Sequence, residues 1–242
     1  MIDIHCHILP DIDDGASDLE EALEMARMAY QSGVTDIAAT PHFQGLMEEV
    51  PLKETIHQRL SLFRSALQRE NIPLRLHDGA EILCLPETPE LAARHLLPTL
   101  GDTDYVLTEF YFDESFAFMD DILAEIADCG YRIVVAHPER YGVIQHDPRL
   151  LERWARLGYV LQLNKGSVLG SFGHRAEAAA YDIMSLELGH LFASDAHGCN
   201  SRTPHVGNLI RWTEEFCHPD LAHLMLTENA RRVLNGKPVI QP

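Results

Sequence analysis

The chain of 242 residues is poor in positive charge, with 19 lysines and arginines against 37 aspartates and glutamates and a formal net charge of −18. Proteins that bind nucleic acids or anionic membranes gain affinity from basic patches, so this imbalance argues against both kinds of partner. No apolar run approaches the roughly 20 residues of a membrane-spanning helix, so no membrane insertion is expected. The first residues, MIDIHCHILPDIDDG, are interrupted by charges at once and predict no signal peptide.

Cysteine is scarce and irregularly spaced. The five cysteines are an odd number, and no two of them form a C-x-x-C pair. A disulfide framework is therefore not expected, and a reducing compartment fits the sequence better. Together with the lack of a targeting signal, this predicts a cytoplasmic protein.

Several signatures of catalysis are also absent from the sequence. Without a G-x-G-x-x-G or Walker loop, the chain has no recognisable phosphate cradle for a nucleotide. Without Cys-x5-Arg it lacks the cysteine nucleophile of many phosphatases, and without G-x-S-x-G it lacks a serine nucleophile elbow. Histidine, in contrast, is abundant, with fourteen copies in the chain.

Short apolar runs alternate with amphipathic stretches along the whole chain. The predicted strands cover residues 2–5, 34–40, 74–82, 105–110, 132–136, 159–163 and 190–193. The first predicted helix is capped by Ser17 and ends at Gly33. The other predicted helices cover residues 52–70, 115–129, 148–157, 176–188, 203–216, 219–226 and 229–234. This alternation, without repeats or a linker, predicts one α/β domain over residues 1–242, built as a parallel barrel or a doubly wound sheet.

Polar side chains with metal-binding chemistry lie at or beside the carboxyl ends of the predicted strands. They are His5, His7, His42, Glu81, Glu109, His137, Asp195 and His197. In parallel α/β barrels these strand ends share one face, and the active site is built there. The pattern therefore predicts a cluster of five imidazoles and three carboxylates.

The predicted cluster offers nitrogen and oxygen ligands and needs no thiolate. Such ligands suit Mn, Fe, Zn or Mg. The cluster exceeds the four ligands of a tetrahedral ion, so it implies two or three divalent ions. Each fragment alone has a simpler explanation, such as a histidine in a turn or a glutamate at a helix end. The joint pattern favours a metal centre.

The motifs that carry this pattern occur in a fixed order from residue 1 to about residue 235. They are His5-x-His7, Asp13-Asp14-Gly15, Pro41-His42, Gly79-Ala80-Glu81, Glu109-Phe110, Ala136-His137-Pro138-Glu139-Arg140 and Ser194-Asp195-x-His197. Together they resemble the PHP (polymerase and histidinol phosphatase) superfamily. More narrowly, they resemble the bacterial metal-dependent protein-tyrosine phosphatases that accompany capsule and exopolysaccharide tyrosine kinases.

The resemblance implies a distorted (β/α)7 barrel with a trinuclear centre, usually of Mn²⁺. The implied ligands are His5, His7, Glu81 and Asp195 for one ion, Glu81, Glu109 and His137 for a second, and Asp14, His42 and His197 for the third. Arg140 and Arg202 match arginines that bind the phosphate, and His42 or His197 is a candidate proton donor to the leaving group. The chain departs from the family pattern at Lys165-Gly166 and at Thr203.

The predicted function is hydrolysis of phosphotyrosine on a protein, with the tyrosine-rich tail of a partner kinase as the expected substrate. An alternative keeps the same fold and centre but changes the substrate to histidinol phosphate or another small phosphate. A third possibility, a binding or regulatory protein with a relict metal site, is disfavoured because the whole ligand set is present.

Overall fold

The strands of the computed structural model, which describes residues 1–44, 46 and 52–242, all pair in parallel. They are β1 (Ile2–Cys6), β2 (Asp36–Ala39), β3 (His42–Phe43), β4 (Arg75–Asp78), β5 (Glu81–Leu83), β6 (Tyr105–Glu109), β7 (Arg132–Ala136), β8 (Val160–Asn164) and β9 (Leu191–Ala193). One sheet has the order β1-β2-β4, and the other has the order β3-β5-β6-β7-β8-β9.

The predicted strand 74–82 is interrupted, and the predicted strand 34–40 is followed by a short strand, β3, that was not predicted. Residues 40–41 separate β2 from β3, and residues 79–80 separate β4 from β5. Pro41 has no N–H with which to continue a ladder, but its carbonyl still accepts a hydrogen bond from the Glu81 amide at 3.0 Å. Each interrupted pair therefore occupies one position around the fold, which leaves seven strand positions.

The seven positions close into a ring. Beyond β9, residue Ala196 forms a parallel bridge with Cys6 at the end of β1. The Asp195 amide donates to the His5 carbonyl at 2.8 Å, and the His7 amide donates to the Ala196 carbonyl at 2.9 Å. The prediction of an α/β fold with a distorted (β/α)7 barrel is therefore confirmed.

Alternate residues of β7 belong to two different apolar clusters, as expected for a strand covered on both faces. Ile133 and Val135 lie in the larger cluster, which includes buried residues of the surrounding helices. Val134 and Ala136 lie in a smaller cluster formed mainly by strand residues and closed by α11. The continuous apolar run from which this strand was predicted thus contributes side chains to both apolar clusters.

Helices follow the strands and surround the ring. They are α1 (Leu19–Gln31), α2 (Leu52–Arg69), α3 (Thr88–Ala93), α4 (Phe116–Asp128), α5 (Gly142–His146), α6 (Leu151–Arg156), α7 (Lys165–Val168), α8 (His174–Ser185), α9 (Gly207–Phe216), α10 (Pro219–His223) and α11 (Asn229–Val233). The short helices α3, α5 and α7 were not predicted. None of the helices in the described ranges is both long and apolar enough to cross a bilayer.

The first helix begins one residue later than predicted. Its cap is Asp18, whose carboxylate accepts a hydrogen bond from the Glu21 amide at 2.9 Å. Ser17 instead contacts the Glu21 carboxylate through both its amide and its hydroxyl, at 3.0 and 2.7 Å. The helix cap thus lies one residue after the predicted Ser17. Asp and Ser are both good caps, but Asp18 is the residue whose side chain accepts a hydrogen bond from the free Glu21 amide.

His190, immediately before β9, is fully buried and uses both ring nitrogens. Its Nδ1 accepts a hydrogen bond from the Leu161 amide at 3.1 Å, and its Nε2 lies 3.0 Å from the Gln241 side-chain oxygen. Burial lowers the pKa of this imidazole to about 4. The ring is therefore neutral in the folded protein down to well below neutral pH.

His190 should make the protein less stable in acid. Between about pH 6.5 and pH 4 the unfolded chain binds a proton at this site and the folded chain does not, so stability falls as pH falls. His190→Gln should reduce the drop in the free energy of unfolding between pH 7 and pH 5 by about 2 kcal/mol. Urea unfolding of both proteins at matched metal content measures this difference, and an equal drop in both would contradict the assignment.

Candidate metal centre

The structure brings the predicted site residues together at the carboxyl ends of the strands. His5 lies in β1, His42 begins β3, Glu81 begins β5 and Glu109 ends β6. The others lie in the segments that follow the strands, and they are His7, Asp14, His137, Asp195 and His197. Residues almost 200 positions apart therefore share one site, because all seven strand positions point the same way.

Glu81 lies at the centre of this site and is 1% exposed. Its Oε1 is 3.1 Å from His5 Nε2 and 3.0 Å from His137 Nε2. Its Oε2 is 3.2 Å from both His7 Nε2 and His42 Nδ1. Burial opposes ionisation, but the surrounding imidazoles hold the pKa of Glu81 well below its usual range.

The buried imidazoles of His5 and His7 both contact the Glu81 carboxylate and lie next to each other. The Nε2 atoms of His5 and His7 are 3.3 Å apart, and both rings are fully buried. Burial would lower their pKa values, but the neighbouring carboxylates raise the pKa of His5 to about 9 and that of His7 to about 10. The site therefore favours positive charge at the point where these nitrogens converge.

The geometry meets the requirements of a multinuclear metal site. Four groups have ligand atoms within 4.8 Å of one another, namely His7/Asp14/His42/His197, His5/His7/Glu81, His5/His137/Asp195 and His42/Glu81/Glu109. His197 Nε2 is buried and has no hydrogen-bond partner among the described residues. Imidazole nitrogens and carboxylate oxygens at these separations fit two or three divalent cations. Which of these side chains bind metal stays a prediction.

Residues behind the imidazoles fix their orientation. Asp13 Oδ2 is 2.7 Å from His7 Nδ1 and also accepts a hydrogen bond from the His42 amide at 3.0 Å. Gln162 Oε1 is 2.9 Å from His5 Nδ1. Such contacts fix the tautomer and leave the other nitrogen free for a metal. These supporting roles were not predicted, although Asp13 lies within a predicted motif and Gln162 within a predicted strand.

Gly15 allows the Asp13–Asp14 segment to approach β1. A Cβ atom at Gly15 would lie 2.1 Å from the His7 carbonyl oxygen and 2.6 Å from the His7 Cβ. Any larger residue would push this segment away, and the carboxylate of Asp13 would then lose its position beside His7.

Asp195 joins the cluster to both predicted phosphate-binding arginines. Its Oδ1 is 2.6 Å from Arg202 Nη2, and its Oδ2 is 3.2 Å from Arg140 Nη1 and 2.6 Å from Asn164 Nδ2. Burial would raise the pKa of Asp195, but His5 and the other neighbouring cations lower it instead. The two guanidinium groups therefore lie directly beside the imidazole cluster.

Three residues of this site have left-handed backbone conformations. The φ angles are 33° at His137, 49° at Asp195 and 46° at Arg202. Such angles are unfavourable for residues other than glycine, and they recur where a fold holds functional side chains in place.

The guanidinium group of Arg140 is held between two aromatic rings. Its central carbon is 4.3 Å from the ring centre of Phe112 and 4.5 Å from that of Phe172. Gly166 makes room for one of these rings, because a Cβ there would come within 2.4 Å of Phe172. The plane of Arg140 is thus fixed by stacking as well as by Asp195.

The two departures from the family pattern contact each other. Lys165 donates hydrogen bonds to the carbonyls of Thr203 and His205, the latter at 3.2 Å. Asn164, just before it, caps α7 by accepting a hydrogen bond from the Gly166 amide at 2.9 Å. The substituted positions therefore tie the segment after Arg202 to the end of β8.

The two candidate proton donors differ in environment. The side chain of His42 is 38% exposed, whereas that of His197 is 8% exposed. Burial and the nearby charge of His7 lower the pKa of His197 to about 4. Burial also opposes protonation of His42, but the hydrogen bond to Glu81 raises its pKa. Of the two, His42 is the more accessible from solvent.

The comparison with known protein families agrees with this geometry. Residues 1–235 match the family described as "Capsular polysaccharide synthesis, CpsB/CapC". The chain belongs to this family. The resemblance to the bacterial metal-dependent tyrosine phosphatases is thereby confirmed.

Individual CpsB/CapC relatives match over nearly their full length. The tyrosine-protein phosphatase YwqE of Bacillus subtilis is 36% identical over 242 residues, covering 100% of this chain and 94% of that protein. The tyrosine-protein phosphatase CpsB of Streptococcus pneumoniae is 31% identical over 239 residues, covering 97% of this chain and 98% of that protein.

Solved structures show the same fold as this CpsB/CapC chain. One comes from work on YwqE and CpsB, described as "unique metal-dependent tyrosine phosphatases", with a TM-score of 0.89 and 35% identity over 100% of this chain and 97% of that one. A lactonase from Listeria monocytogenes has a TM-score of 0.63 at 12% identity, covering 98% of this chain and 94% of that one. The second likeness concerns the fold alone.

Proposed function

We propose that the chain is a metal-dependent phosphomonoesterase that hydrolyses phosphotyrosine on proteins. The observation that carries this proposal is the convergence of five imidazoles and four carboxylates beside two arginines, with ligand atoms within 4.8 Å of one another in four overlapping groups. Relatives over the full length of the chain are named tyrosine-protein phosphatases, which supports the same substrate class.

The proposed metal ligands are the nine side chains predicted from the sequence. They are His5, His7, Asp14, His42, Glu81, Glu109, His137, Asp195 and His197. Bound divalent ions, with Mn²⁺ as the proposed metal, would supply positive charge to the phosphoryl oxygens and make a water molecule acidic enough to attack near neutral pH. Glu81 touches four imidazoles and is the residue best placed to bridge between ions.

Arg140 and Arg202 would bind the phosphate oxygens. Both guanidinium groups lie within 3.2 Å of Asp195 at the edge of the cluster. A planar guanidinium fork matches two phosphate oxygens at once, and its contacts strengthen as charge accumulates on them. Stacking by Phe112 and Phe172 would keep the Arg140 fork in one orientation.

The departing tyrosyl oxygen would need little help from an acid. A phenol has a pKa of about 10, far below that of an alkyl alcohol, so it leaves readily as an anion. His42 is partly exposed and His197 is nearly buried, so His42 is the more accessible candidate, and either histidine could donate a proton only when it is not bound to a metal ion.

We further propose that residues 1–242 act as one domain in the cytoplasm. The substrate would be a tyrosine-phosphorylated protein. We propose that it is the tail of a partner tyrosine kinase that acts in capsular or exopolysaccharide synthesis. The family description, capsular polysaccharide synthesis, supports this setting.

Removal and return of the metal test the proposal. The purified protein should lose hydrolysis of a phosphotyrosyl peptide in a chelator and recover it when Mn²⁺ is added in excess, because the proposed attacking water needs a bound divalent ion to lose its proton near neutral pH. Full activity in the chelator, with metal analysis showing none bound, would overturn the proposal.

Substrate choice is tested separately by the ratio of kcat/KM for a phosphotyrosyl peptide and for histidinol phosphate. We expect the peptide to be preferred. A large preference for histidinol phosphate would retain the metal centre but replace the tyrosine substrate with a small alcohol ester.

A further inference from the structure

An aromatic pocket of about 330 Å³ opens directly beside the candidate metal centre. Its apolar lining consists of Phe43, Leu83, Phe110, Tyr111 and Phe112. His42 and Glu109 line the same pocket and are also two of the proposed metal ligands. A phosphate held at the centre would therefore have this pocket within reach of its ester group.

The walls of the aromatic pocket are held in place. Phe43 and Phe110 are at most 1% exposed, and Phe110 packs edge-on against Phe118 and Tyr141, with ring centres 6.3 and 6.2 Å away. The carbonyl of Phe112 accepts a hydrogen bond from the Gly142 amide at 2.7 Å. The pocket is thus largely formed before a ligand arrives, which lowers the entropic cost of binding.

Two aromatic side chains of the pocket remain open to solvent. Tyr111 is 56% exposed and Phe112 is 44% exposed. A second cavity beside the centre, of about 600 Å³, has Lys165 and Arg202 in its lining. By contrast, the described residues that line the aromatic pocket include no lysine or arginine. An uncharged planar group fits it better than a charged one does.

We propose that the aromatic pocket binds the aryl ring of the phosphoester, so that Tyr111, Leu83 and Phe112 determine selectivity for aryl over alkyl phosphates. This inference rests on the proposed function, because it assumes that the phosphate is bound at the metal centre. Offset or edge-to-face contacts with the rings of the pocket stabilise a bound aryl group, whereas a small alkyl group gains little binding energy from them.

Phe112 has a second contact that complicates its use in a test. Its ring stacks on Arg140, so its removal would disturb phosphate binding as well as ring binding. Tyr111 and Leu83 are therefore the informative positions. Tyr111→Ala opens one wall of the pocket, and Leu83→Trp fills its interior.

Nonhydrolysable phosphonates separate ring binding from catalysis. Calorimetry with the Mn²⁺-loaded protein should show that phenylphosphonate binds more tightly than methylphosphonate. Each variant should weaken phenylphosphonate binding about 5–10-fold and change methylphosphonate binding less than about 2-fold. Tyr30→Ala, which removes another exposed tyrosine on α1, serves as the matched control and should change neither affinity.

Peptide kinetics complete the test. In both pocket variants KM for a phosphotyrosyl peptide should rise by a similar factor. Equal affinity of the unaltered protein for the two phosphonates, or equal losses for both in the variants, would overturn the pocket assignment while leaving phosphotyrosine hydrolysis intact. If the unaltered protein fails to hydrolyse the peptide, the proposed function itself is wrong.

Discussion

Glu81→Gln should lower kcat/KM for a phosphotyrosyl peptide by about 10²–10³-fold and remove at least part of the bound metal. The carboxylate lies within 3.2 Å of four imidazoles, and an amide of the same shape cannot carry its negative charge. Metal analysis by mass spectrometry and steady-state kinetics on the same preparation measure both effects.

Glu87→Gln is the matched control for this substitution, because Glu87 is exposed just before α3 and belongs to none of the four candidate ligand groups. The control should retain full activity and metal content. A Glu81→Gln protein that keeps both its metal and its rate would contradict a bridging role for this carboxylate.

Arg140→Lys should lower kcat/KM by about 10²-fold while leaving the metal content unchanged. A lysine keeps the positive charge, but it has no planar fork for two phosphate oxygens and no flat face to stack between Phe112 and Phe172. The loss should therefore appear although the positive charge is retained. Kinetics with parallel metal analysis measure the two effects.

Arg149→Lys provides the corresponding control, since the side chain of Arg149 is 71% exposed and pairs only with Glu152 among the described acidic residues. An Arg140→Lys protein with unaltered kinetics would show that the guanidinium does not bind phosphate. If it lost metal instead, Arg140 would act mainly by holding Asp195.

The convergence of the candidate metal ligands could be predicted because these residues lie at the carboxyl end of one strand after another. His137 and Asp195 both follow apolar runs, and parallel strands deliver such residues to one face whatever their separation along the chain. The continuous run of β7 likewise identified a strand covered on both faces. These features are encoded locally and need no knowledge of tertiary contacts.

Other features depend on contacts that periodicity does not reveal. The helix α7 has only four residues and is capped by Asn164, whose side chain also bonds to Asp195. The stacking of Arg140 between two phenylalanines joins loops 60 residues apart. The aromatic pocket is likewise assembled from three strand ends, so its residues look like ordinary core or surface positions in the sequence.

The most direct test of the metal centre is an anomalous-difference map from crystals grown with Mn²⁺, recorded near the manganese absorption edge. We expect two or three peaks, each about 2.0–2.3 Å from imidazole and carboxylate atoms of the cluster, with Glu81 contacting more than one of them. No peak among these side chains in crystals of an active, manganese-loaded preparation would contradict the account.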